Sequence, residues 1–211
     1  MTDTAASIRT RLDGLIAAHD RRGAVDVALN AVRSDEISLG ALYDLIGDLL
    51  IDVGASWHTG KTAVWQEHYA TAVVRTIVEA CHEFVPAQSA SPNGLTVVLT
   101  TPPDEYHDLG LRMLADRFEL AGWRVHLLGP SLPPGELVAA VGALGPDAVV
   151  LSTSTHYHRL AARRYVDELR AAAPAVRVWV GGPAFAHSAE GWSPEELLDV
   201  ADVPTLAERL R

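Results

Sequence analysis

Leu95-Thr96-Val97-Val98-Leu99-Thr100 is a short apolar run, and Glu105-Tyr106-His107-Asp108-Leu109-Gly110 follows it at the head of an amphipathic stretch, Leu109–Leu120. A run of period two or none, followed by a run of period 3.6, reads as a strand leading into a helix. The pattern then recurs. Strands are expected at 123–128, 148–152 and 176–180, with helices at 134–144, where Pro134 sits just inside the start, and at 159–173. Further helices are expected at 194–200 and ending near residue 211. Such alternation predicts an α/β domain over 95–211, a Rossmann-like, doubly wound parallel sheet with helices on both faces. Ligands of such sheets bind at the carboxyl ends of the strands.

Upstream, the period is helical throughout. Ile8, Leu12, Leu15 and Ile16 form one series, and Val25, Leu29 and Val32 a second. Leu42, Leu45, Ile46, Leu49 and Val53 form a third, and Ala70, Val73, Val74, Ile77 and Val78 a fourth. Breaks fall at Arg22-Gly23, Ser34-Asp35 and His58-Thr59-Gly60, and Ser38 is placed to cap the third helix. Residues 1–85 therefore read as a four-helix bundle. Residues 86–94, Pro-Ala-Gln-Ser-Ala-Ser-Pro-Asn-Gly, read as a linker.

The 211 residues carry a net charge of −10 and are 48% hydrophobic. That balance supports a core and argues against direct nucleic-acid binding, which uses a basic face. Arg21-Arg22 and Arg163-Arg164 read as solvated helix surface. No run of 18 apolar residues and no basic, apolar leader is present, so a soluble cytoplasmic protein with no membrane contact is expected. The single Cys81 excludes an internal disulfide and reads as a small buried hydrophobe.

Three fragments share one register. E-x-H-x-x-G spans Glu105 to Gly110; Ser152-Thr153-Ser154 follows after 41 residues, and Gly181-Gly182 after 26 more. Chance produces the full set in roughly one chain in ten thousand of average composition. The set resembles the signature of cobalamin-binding Rossmann-like domains, D/E-x-H-x-x-G, S-x-L, G-G. One position departs: Ser154 stands where that family has Leu. The resemblance implies that His107 ligates cobalt from below in place of the cofactor's own base. Imidazole suits such a metal, and Glu105 is the obvious acceptor for its other ring nitrogen. Gly110 lets the loop approach a bulky macrocycle, with Tyr106 and Asp108 beside it. Ser152, Thr153 and Ser154 offer polar groups at a strand end, and Gly181-Gly182 leaves a slot for the nucleotide tail.

The helical region adds Trp57, nine residues, then Glu67-His68. This resembles the W-x9-E-H pattern of cobalamin-dependent photoreceptors, the light-responsive repressors of carotenoid genes. The resemblance implies 5′-deoxyadenosylcobalamin as cofactor, with Trp57 packing on the adenosyl group and Glu67 bonding it. It further implies that His58 ligates cobalt after light breaks the cobalt–carbon bond. The expected protein is a stand-alone, non-enzymatic cobalamin-binding photoreceptor. Because the chain begins at its bundle, output is expected through a homo-oligomer, a dimer or higher, or a separate regulatory protein. Some sensors of this architecture also bind a bilin such as biliverdin; the histidines permit this and nothing in the sequence demands it.

Competing readings are a corrinoid carrier of a methyltransferase system, which would expose the upper face to an enzyme, and a generic nucleotide or response-regulator domain. The generic domain lacks a G-x-G-x-x-G or Walker loop here. A mutase subunit would need a substrate barrel. His156 and His158 flank Tyr157 near the expected cofactor edge and can reach the tail or a second ligand. His82, His126 and His187 have no partner spacing, and no His/Cys set has structural-zinc spacing.

Overall fold

Apolar residues at helical spacing wind the first part of the chain into four helices in a computed structural model that describes residues 3–186 and 188–210. They are α1 (Asp3–Ala17), α2 (Arg21–Arg33), α3 (Leu39–His58) and α4 (Val64–Cys81). A 3₁₀ turn over His82–Phe84 leads into a short α5 (Val85–Gln88). Two caps set helix starts. The Asp20 side chain accepts from Gly23 N at 2.8 Å, and the Ser38 hydroxyl accepts from Ala41 N at 3.2 Å. Ile8, Leu12, Leu42, Leu45, Ile46, Leu49, Val73, Val74 and Ile77 are sealed from solvent, and Cys81 is buried with them. Each such large side chain contributes about 1.5–3 kcal/mol.

The chain divides into two units between Gln88 and Ser89. Residues 85–88, of which the last three fall in the expected linker, are helical. The second unit runs β1 (Thr96–Thr100), α6 (Leu109–Leu120), β2 (Arg124–Gly129), α7 (Glu136–Leu144), β3 (Ala148–Ser152), α8 (Arg159–Ala172), β4 (Arg177–Gly181) and a last turn α9 (Leu206–Arg209). The strands are all parallel, in the order β2-β1-β3-β4. Alternate residues feed two cores. Val97, Leu99, Val150 and Trp179 pack with Leu111, Leu114, Phe118 and Leu206 on one face. Val98, Val149, Leu151 and Val180 pack with Val141, Tyr165, Val166 and Leu169 on the other. The sheet is thus buried on both sides, as its continuous apolar strands require.

Two helix boundaries differ from expectation. α7 begins at Glu136 because Gly135 takes φ +83°, leaving Pro134 outside. The stretch 194–200 is not one helix: a 3₁₀ turn at Pro194–Glu196 is followed by extended Leu197, which bridges to Val180 beside β4. Leu198 N donates to Val180 O at 2.9 Å, so sheet pairing won over helix continuation and covers the β4 edge. A second 3₁₀ turn spans Val200–Thr205, and Pro204 within it has no N–H to continue a ladder. No described helix is long and apolar enough to cross a membrane. His187 lies outside the described residues.

The order places the site. From β1 the chain crosses to β2 through α6 on one face; from β3 it crosses to β4 through α8 on the opposite face. The strand order therefore reverses between the adjacent strands β1 and β3, and their carboxyl ends are the place where such sheets bind ligands.

Candidate functional site

Glu105 sits in the loop after β1 and is completely buried. The loop is pinned from both sides. The Thr101 hydroxyl donates to Glu105 O at 2.5 Å and accepts from Ser131 N at 2.8 Å, while Asp104 N donates to the Ser131 hydroxyl at 3.1 Å. Each carboxylate oxygen then takes its own set of donors. Oε1 accepts from His107 N at 3.1 Å and meets His107 Nδ1 at 2.5 Å. Oε2 accepts from Ser154 N at 2.9 Å and Thr155 N at 3.2 Å, and meets His158 Nδ1 at 3.0 Å.

Burial pushes the Glu105 carboxyl up, but the hydrogen bonds from the His107 side chain and backbone, Ser154 N and His158 outweigh it and bring its pKa down to about 2. An ionised carboxylate only accepts. Both imidazoles must therefore present a protonated Nδ1 to it, which in a neutral ring puts the lone pair on Nε2. The His107 side chain is 68% exposed while its anchor is wholly buried. This is the arrangement a metal-ligating histidine needs: a fixed tautomer, a fixed ring and a charged acceptor that raises basicity.

The end of β3 meets the end of β4 through backbone. Thr153 N donates to Gly181 O at 2.8 Å, and Ala184 N donates to Thr153 O at 3.1 Å. Gly182 has φ +103°, and a Cβ there would lie 2.6 Å from Thr153 O. A Cβ on Gly181 would lie 3.2 Å from Leu198 O. Neighbouring backbone thus requires glycine at 182 and leaves little room for a side chain at 181. Gly110, at the second position of α6, has no such reason: nothing lies within 4 Å of its Cβ position. Ser152 and Thr153 are buried, and Ser154 is half-buried. The Thr153 hydroxyl is buried and unbonded. Tyr106 and Tyr157 stand 68% and 79% exposed, and Asp108 is half-buried before α6.

In the helical unit, Trp57 and His58 are the last two residues of α3 and both are exposed. The turn beyond them is closed by Ser56 and Thr62, whose hydroxyls lie 2.5 Å apart, and Gly60 takes φ +73°. Glu67 occupies the first turn of α4. Its Oε2 meets His68 Nδ1 at 2.5 Å, and its Oε1 accepts from the Thr71 hydroxyl at 2.8 Å. Exposed Val64 and Trp65 stand beside it in sequence.

Glu105, His107 and Ser154 are joined directly, and Thr153 is joined to Gly181 and approached by Gly182. Sequence spacing missed Thr155 and the bond from His158 to Glu105; Thr155-x-x-His158, whose side chains meet at 2.8 Å, is the local signal. Among the described residues no set of three His, Cys, Asp or Glu forms a complete metal cage. The donor set instead suits a group that brings most of its own ligands. His107 can offer such a group one imidazole, its ring held by Glu105.

Comparison with known proteins agrees. Two families, each described as a B12 binding domain, match residues 95–203 and 8–82. The chain is 37% identical over 171 residues to the HTH-type transcriptional repressor CarH of Myxococcus xanthus, covering 79% of this chain and 54% of that protein. It thus spans about half the length of that relative. The Methanosarcina barkeri monomethylamine corrinoid protein has the same fold, with TM-score 0.81, 14% identity, and coverage of 98% of this chain and 99% of that one. The chain belongs to the B12-binding domain family and is a cobalamin-binding module.

Proposed function

We propose that the chain is a light sensor built on 5′-deoxyadenosylcobalamin, with His107 as the lower ligand. When bound, this cofactor supplies a cobalt–carbon bond that green light cleaves. Glu105 holds His107 in the ligating tautomer in dark and light alike. Trp57 offers an indole face to the adenosyl group, and Glu67 offers acceptor oxygens to its ribose. His58, the last residue of α3, would be the residue able to hold cobalt once the adenosyl group is gone. The new tie draws on the α3–α4 turn, and an oligomer or a regulatory partner reads the change.

The observation that supports this reading over a methyl carrier is the end of α3, where Trp57 is 48% exposed beside His58. The 37% identity to a transcriptional repressor points the same way. The fold shared with a corrinoid protein favours the carrier as the second reading, although fold alone does not set function.

The test is an absorption spectrum of the protein loaded with adenosylcobalamin, before and after green light, with light scattering alongside. Photoconversion together with a change of mass or shape supports the sensor. Indifference to the adenosyl group, with preference for methylcobalamin, supports the carrier. An added bilin that leaves both spectra unchanged removes the tetrapyrrole from the account.

A further inference from the structure

Several irregularities meet where β1 and β2 end. The strands pair in step up to Leu99 and Leu127, but Thr100 then faces Gly129, so Leu128 is an extra residue in β2. Such bulges recur next to active sites, where they re-aim the chain. Gly129 turns at φ +81°, and its carbonyl accepts from the Thr100 hydroxyl at 2.9 Å. Just beyond it Ser131 is held at φ +55°, and in the β1 loop Asp104 is held at φ +64°. A left-handed backbone is unfavourable for a residue with a Cβ and persists only where surrounding contacts dictate it. These two residues are bonded to each other, Asp104 N donating to the Ser131 hydroxyl at 3.1 Å. Ser131 N donates to the Thr101 hydroxyl at 2.8 Å, and that hydroxyl donates to Glu105 O. Ser131 thus grips the β1 loop at both ends of the turn that carries Glu105.

We infer that Ser131 is a positioning residue for His107: it fixes the Glu105 main chain and, through the Glu105 carboxylate, the tautomer and aim of the imidazole. The inference rests on the reading of His107 as the lower ligand. Ser154 N and Thr155 N hold the carboxylate from the β3 side, but they reach only the tip of the side chain. The main chain from which it springs is set by Thr101 and Ser131. The base of this clasp is rigid. Pro130, Pro133 and Pro134 restrict the loop around Ser131, and the Tyr165 hydroxyl of α8 donates to Leu132 O. Stability alone does not account for the serine. Glycine adopts φ +55° without strain, and Asp104 is exposed, so water can satisfy its N–H in place of the hydroxyl. What the serine adds is a fixed geometry, and the bond that depends on it is Glu105 Oε1 to His107 Nδ1 at 2.5 Å. Loss of the clasp frees the turn, and the ring is then no longer held to one tautomer.

The experiment compares the full chain with its Ser131→Gly, Ser131→Asn and His107→Ala variants. Glycine relieves the backbone and removes the hydroxyl, whereas asparagine tolerates the left-handed region and keeps an acceptor oxygen. In the cofactor-free protein, ring-nitrogen NMR in alkaline buffer reads the His107 tautomer and thermal melting reads stability. Equilibrium titration reads adenosylcobalamin affinity. For Ser131→Gly the expected result is an unchanged or raised melting temperature, a mixture of His107 tautomers in place of the Nδ1–H form, and binding about tenfold weaker. Ser131→Asn should restore both tautomer and affinity. A wild-type tautomer in Ser131→Gly overturns the inference. So does a loss that tracks a lowered melting temperature or that asparagine fails to repair, and so does unchanged affinity in Ser131→Gly beside a loss in His107→Ala. If the tautomer shifts while both Ser131→Gly and His107→Ala bind like wild type, the lower-ligand reading falls and the positioning of the His107 ring stands.

Discussion

Glu105 Oε2 meets His158 Nδ1 at 3.0 Å across 53 residues of sequence, while Oε1 of the same carboxylate holds His107. One buried anion thus ties the β1 loop to the β3 loop and orients two imidazoles at once. Glu105→Gln would place an amide N–H₂ among donors and lose half of this acceptance. Cobalamin affinity should fall about 10- to 100-fold, the usual effect of losing the acceptor behind a metal-bound histidine. Equilibrium titration checks this, and retained affinity would remove Glu105 from the ligand's support.

The same carboxyl makes stability acid-sensitive. Its folded pKa of about 2 lies below its ordinary value of 4.5, so its stabilisation is complete above pH 4.5 and is lost as pH falls toward 2. The shift corresponds to about 3 kcal/mol for this buried group. Unfolding curves of wild type and Glu105→Gln measured from pH 7 to 3 should converge as the pH drops. Curves that stay parallel would contradict the assignment.

His107→Ala should weaken cobalamin retention and shift the dark spectrum. His58→Ala should leave dark binding intact and change only the spectrum after illumination. Identical light-state spectra for His58→Ala and wild type would place the second ligand elsewhere.

Two motif glycines should separate stability from binding. Gly182→Ala combines φ +103° with a 2.6 Å approach to Thr153 O and should cost about 2–4 kcal/mol, seen as a lowered melting temperature. Gly110→Ala meets nothing within 4 Å and lies in a helix, so thermal stability should hold or rise slightly while cobalamin binding weakens. Unaltered binding in Gly110→Ala would show that the open space above it is not where the macrocycle lies.

Much of this was legible in the sequence because its signals are local. Period two against period 3.6 separated the helical unit from the α/β unit, and E-x-H-x-x-G named Glu105 as the partner of His107 two residues away. What the sequence hid is what crosses between elements. Nothing in the spacing of Ser152 to Ser154 reveals that Ser154 N, Thr155 N and His158 converge on Glu105, since that depends on β1 and β3 being neighbours. The end of the chain misled for a related reason. Leu197 has helical company in sequence, but the unpaired edge of β4 draws it into extended pairing.

The adjacency of β1 and β3 also dictates an order of events during synthesis. The helical unit forms a compact cluster within the first 88 residues, and domains generally fold as units, the N-terminal one first. β1 waits longer. Its neighbour toward the sheet centre begins at Ala148, and the donors that fix Glu105 arrive only with Ser154, Thr155 and His158. Until then the His107 loop has its ties to Thr101 and Ser131 but lacks the donors from the β3 side. If His107 holds the cofactor as proposed, its support is complete only once residue 158 has been made.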